Sequence, residues 1–170
     1  MKLRKKSKSP KPAIVTFQMH HDDFLFLGKE YPLSTLDWDD FNNTVGYDKI
    51  EPYQIESREF EIVWHNNNPE HTTYFIGKRV KDINEVPEGL ALTKFPAREY
   101  IVVTHEWQPM GDGRFQIGDC MRYADNLQIP NGYVRHDQTG SQIVLMELSN
   151  FDAEYGHRWE IWVPIKKAGE

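Results

Sequence analysis

QIVLMEL, residues 142–148, decides how this chain is read. Period-two alternation sets Ile143, Leu145 and Glu147 on one face and Val144, Met146 and Leu148 on the other. Both faces are otherwise apolar, as on a strand covered from both sides, and the strand carries a single charge. RWEIWVPIK, residues 158–166, repeats the period, so with the loop around Asp152 the two strands predict a hairpin. Just upstream, Ile117, Cys120, Met121, Ala124 and Leu127 recur at helical spacing between Gly113 and Pro130. YIVVT at 100–104 precedes that helix and is apolar on both faces. The second half of the chain therefore reads β-α-β-β.

The first half repeats the order. An extended stretch at 13–31 leads to a helix in which Ser34 and Asp37 resemble a capping box and Trp38, Phe41 and Val45 share a face, with Gly46 as the stop. Phe60, Ile62 and Trp64 then alternate as a strand, turn formers fill 65–69, and a second strand at 72–80 closes a hairpin. Two such modules, 13–86 and 87–167, predict an α+β fold: one antiparallel sheet carrying two helices.

Six cations (Lys2, Arg4, Lys5, Lys6, Lys8 and Lys11) and no acid occupy residues 1–12, which read as a basic disordered tail. The whole chain carries −6 and this segment +6, so the remainder carries −12, a body that repels phosphate backbones and attracts cations. One cysteine, Cys120, excludes an internal disulfide and fits a reducing, cytoplasmic setting. No apolar run reaches the ~20 residues of a membrane span. His20 and His21 beside Asp22 and Asp23 point alternately and do not form a metal site. His65, His71 and His105 lack ligand spacing, and glycine motifs for phosphate or dinucleotide are absent. No cofactor or metal is expected.

Glu147 is the residue with chemical consequence. A shielded carboxylate is costly without a partner. It is either a counter-ion awaiting a positive ligand or a strand-end Glu that reaches solvent or pairs with Arg or Lys. Aromatic residues make up 13% of the chain, more than a modest core requires, and ring faces hold flat or cationic molecules. Phe60, Trp64, Tyr74 and Trp107 lie on or beside strands. Trp159, Ile161, Val163 and Ile165 share one face, leaving Trp162 opposite as the better pocket candidate of that strand. The expected ligand-binding set is Glu147, Trp162, Trp64, Tyr74, Trp107 and Phe60.

Several stretches taken in order resemble a known family: LDWDDF (36–41), TTYFIGKRV (72–80), VPEGLALTKFPAREYIVV (86–103), MEL (146–148) and EIWVPIK (160–166). Together they are similar to the GyrI-like effector-binding domain, over about 13–167. The resemblance implies a duplicated β-α-β-β fold with a central cleft. In the family an acid on the penultimate strand faces cationic, aromatic ligands, and Glu147 occupies that position. Ser149 and Leu127 stand where many members have an aromatic and a Trp. Residues 1–12 are too few for a helix-turn-helix, so no direct sequence-specific DNA binding is expected. The expected function is stand-alone binding or sequestration of planar, hydrophobic cations. One alternative is hydrolysis of cyclopropane-bearing genotoxic compounds, with Glu147 and Tyr74 as the acting pair. Another is a protein-interaction module of the gyrase-inhibitor kind, with a protein partner.

Overall fold

The computed structural model describes residues 11–58, 60–68, 71–136 and 143–170, with side chains at 66–68 and 71 excepted. The basic tail, apart from Lys11 and Pro12, lies outside the described residues, as do Pro69 and the first two positions of the 141–148 strand. The elements are β1 (Ile14–His21), β2 (Phe24–Pro32), α1 (Trp38–Thr44), β3 (Phe60–Asn68), β4 (His71–Val80), β5 (Ala91–Phe95), β6 (Arg98–His105), α2 (Ile117–Asp125), β7 (Tyr133–Arg135), β8 (Ile143–Asp152) and β9 (Gly156–Lys167). All strands join one antiparallel sheet in the order β1-β6-β9-β8-β3-β4-β2-β5, with β7 added on β9. The fold is α+β.

Each half opens on two strands that do not pair with each other, rather than on one extended stretch. Asp22 and Asp23 turn the chain between β1 and β2, and Pro96 and Ala97 do the same between β5 and β6. α1 begins at Asp37, whose carboxylate accepts from the Asp40 amide at 2.8 Å; Ser34 lies instead in a short 3-10 turn. Exchanging the halves (β1 with β5, β2 with β6, β3 with β8, β4 with β9) reverses the strand order onto itself. The duplication thus generates a pseudo-twofold axis between β3 and β8. The opening strands are traded across it: among the described residues β1 pairs only with β6 of the other half, and β5 only with β2.

A two-residue link spans at most ~10 Å, yet it joins β1 at one edge to β2 next to the other. The sheet must curl until these strands approach, and His21 meets Phe24 at 5.2 Å between rings. Inside the curl, Phe26, Val63, Phe75, Tyr100, Val102, Met146 and Trp162 pack as one core. Outside it lie both helices. Phe41 and Val45 bring α1 onto Ile62 and Ile76, and Cys120 and Ala124 bring α2 onto Val103, Ile161 and Val163. Gly28 and Gly77 face each other where the curl is tight. A Cβ on either would stand 2.1 or 2.0 Å from a carbonyl oxygen of the opposing strand.

Candidate functional site

Glu147 pairs with Ile62 of β3 on one side and Ile161 of β9 on the other, so all three point to the helix-bearing face. Ile62 belongs to the core under α1 and Ile161 to the core under α2, while Leu145, Glu147 and Ser149 belong to neither. β8 is the strip between the helices, and Glu147 stands in its middle, partly shielded. Trp64 Nε1–H donates to Glu147 Oε1 at 2.5 Å. Among the described residues no Lys, Arg or His nitrogen comes within 4.0 Å of this carboxylate. Burial raises its pKa to about 7 against the lowering effect of the Trp64 hydrogen bond.

Rings flank the carboxylate at both ends. On one side Trp64 meets Tyr74 edge-on at 4.6 Å. Burial first, and the Glu147 charge second, push the Tyr74 hydroxyl up to about 12, so Tyr74 stays protonated and can donate a hydrogen bond. On the other side Phe60 packs against Trp159 at 5.4 Å and Trp38 at 6.4 Å. Trp159 Nε1–H is shielded and has no acceptor among the described residues.

Of the expected set, Glu147, Trp64, Tyr74 and Phe60 lie together on this face. Trp162, expected in the same set, is separated from them. It pairs with Val102 and Met146, points into the curl and is 3% exposed. There its Nε1–H donates to Glu160 at 2.8 Å, and Arg79 lies over its ring at 5.0 Å. That guanidinium is itself held by Glu61 at 3.0 Å and by Glu56 at 3.1 Å. Trp107 sits at the far end of β9 beneath Arg158, 4.6 Å from its ring, and beside Tyr155. Trp159 and Trp38, which pack on Phe60, were not in the expected set. The signal for Trp159 was the β8–β9 turn: counting inward from Asp152 opposite Gly156 puts Glu147 opposite Ile161, and Trp159 shares the face of Ile161.

Ile143 also departs from the alternation. β3 advances one residue from Trp64 to His65 while β8 advances two, from Leu145 to Ile143. This bulge at Val144 sends Ile143 into the inner core. Elsewhere, His20 holds Glu99 at 2.8 Å and His21 accepts from Arg79 at 2.7 Å. No cluster of three metal-ligating side chains occurs among the described residues. No helix among them is long and apolar enough to cross a membrane.

No family model and no curated protein matches the sequence. Solved structures do match. SAV2435 bound to tetraphenylphosphonium superposes with a TM-score of 0.56 at 9% identity, over 89% of this chain and 94% of that one. The EcmrR C-terminal domain matches at 0.52 and 14% identity, over 91% and 99%. EcmrR in a DNA complex matches at 0.56 and 13% identity over 91% of this chain, which spans only 58% of the EcmrR chain. With the strand order, the two helices on one face and the traded opening strands, these likenesses show that the chain has the fold of SAV2435 and of the EcmrR C-terminal domain.

Proposed function

We propose that the chain binds small, planar, hydrophobic cations on the β8 strip between the helices, with Glu147 as counter-ion. One observation carries this reading: a partly shielded carboxylate with no cation beside it among the described residues, flanked by Trp64 and Tyr74 on one side and Phe60 and Trp159 on the other. A ligand cation supplies the missing partner, and each ring face adds on the order of 0.5–2 kcal/mol of cation–π attraction. The acidic body favours the approach of cations. That SAV2435, of the same fold, holds tetraphenylphosphonium supports the same ligand class here.

The test is a titration of tryptophan fluorescence with tetraphenylphosphonium and with neutral triphenylphosphine oxide. Glu147→Gln should weaken the cation by about 1–3 kcal/mol, five- to 150-fold, and change the neutral compound less than twofold. Equal cation affinity in wild type and variant would overturn the proposal.

A second reading has its own observation. Glu147 with a pKa near 7 stands beside Tyr74, which stays protonated; this is a general base next to a hydrogen-bond donor able to polarise an electrophile. The pair suits hydrolysis of a strained electrophile. Turnover of such a compound that disappears in Glu147→Gln and falls in Tyr74→Phe would establish it. Binding without turnover would set it aside.

A further inference from the structure

Five arginines among the described residues are paired with acids. Arg58, Arg79, Arg114, Arg122 and Arg158 each have a carboxylate oxygen within 4.0 Å. Arg98, the first residue of β6, has none among the described residues. Its one polar contact is from Nη1–H to His136 Nδ1 at 3.0 Å, and its Nε–H is shielded without an acceptor. Burial pulls its pKa down, as it does for a cation with no counter-ion to hold it up. Two residues on, the Tyr100 hydroxyl is also buried without a partner among the described residues.

Arg98 lines a surface concavity together with Lys166 and Lys167 at the end of β9. Neither lysine has a carboxylate within 4.0 Å among the described residues. Two acids share the rim. Glu99 is engaged by His20 at 2.8 Å and Gln18 at 3.3 Å, and Glu170 is outside ion-pair reach of all three cations. Three cations without a carboxylate partner among the described residues thus line one hollow of a chain whose net charge is −6. Like charges held together repel, and a guanidinium withdrawn from water costs several kcal/mol unless an anion joins it.

We infer that this concavity is a binding site for a small oxyanion, distinct from the Glu147 strip. A guanidinium anchored through Nη1 presents its remaining N–H groups as a fork, which matches the two oxygens of a phosphate or carboxylate, and the lysines add point charge. Phosphate, with the greater charge, is the better fit to three cations.

Calorimetric titration of the full chain at pH 7.4 with inorganic phosphate, with acetate and with chloride at matched ionic strength tests this. Saturable binding of phosphate at millimolar concentration is expected, with acetate weaker and chloride silent. Acetate binding more tightly than phosphate would keep the site and assign it to carboxylates. Phosphate stabilises proteins in general by exclusion, but that effect does not saturate and is indifferent to Arg98. Arg98→Gln should weaken phosphate at least tenfold, and Lys166→Ala with Lys167→Ala several-fold. Should Arg98→Gln fail to fold, Arg98→Lys, which keeps the charge and loses the fork, should bind with intermediate affinity, and the double lysine variant carries the comparison. Absence of saturable phosphate binding in wild type, or affinity unchanged in the Arg98 and lysine variants, would overturn the inference.

Discussion

Trp159 and Trp162 are three residues apart on β9 and face opposite ways. Trp162 is sealed in the inner core, so Trp162→Ala should cost about 3–5 kcal/mol of folding stability, read by urea denaturation. Trp159 borders the proposed site with an unused N–H. Trp159→Ala should weaken tetraphenylphosphonium more than it lowers stability, and the opposite ranking would remove it from the site. Glu147 gives a pH signature. Its pKa is about 7 in the folded chain against an ordinary 4.5. Between those values the folded state holds a proton that the unfolded state has lost, so stability falls as pH rises through that window. Glu147→Gln lacks this slope. Relative to wild type it should gain on the order of 1–3 kcal/mol between pH 4.5 and pH 8. Denaturation curves whose difference does not vary with pH would mean that the carboxylate is not shielded in solution. A bound cation favours the ionised form, so tetraphenylphosphonium affinity should rise over the same interval.

At the scale of elements, the Gly28–Gly77 pair is where β2 and β4 approach too closely for side chains. Gly77→Ala should destabilise by about 2–4 kcal/mol, because the Cβ would collide with the backbone carbonyl of Leu27 rather than with a movable side chain. A melting temperature unchanged in that variant would show that the strands part easily there. This close approach left no mark in the sequence beyond two glycines. The strands β3, β4, β8 and β9 and both helices were legible because apolar residues alternate at period two or recur at helical spacing. The β1–β2 turn was not, since His20–Asp23 read as a polar run within one strand. The Val144 bulge was hidden for a similar reason: an inserted residue in an apolar strand is itself apolar. Glu147 stood out as the one charge on such a strand. Alternation set Trp162 opposite Trp159 but does not say which of the two faces the helices cover. That assignment comes only from the pairing of β8 with β9.

For the whole molecule, the traded opening strands make each half depend on the other. Among the described residues β1 finds its backbone partners only in β6, and β5 finds its own only in β2. A chain cut between β4 and β5 should give fragments that do not fold alone, because each exposes an unpaired strand and half of the inner core. Mixed in equal amounts they should recover the native far-UV and near-UV circular dichroism. Independent cooperative unfolding of either fragment would mean that the duplication yields two autonomous units. The intact chain should instead melt in one transition.

The pairing of Ile62 with Glu147 has a consequence for how many positive groups a guest can present. The duplication puts β3 and β8 side by side at the axis, yet the facing positions hold one isoleucine and one glutamate. The arrangement is twofold and the chemistry is not. A guest with two identical charged ends would find an anion for one end and a hydrocarbon wall for the other. Stripping water from that second end would go unrewarded, so dications should be discriminated against, and occupancy should stop at one monocation per chain.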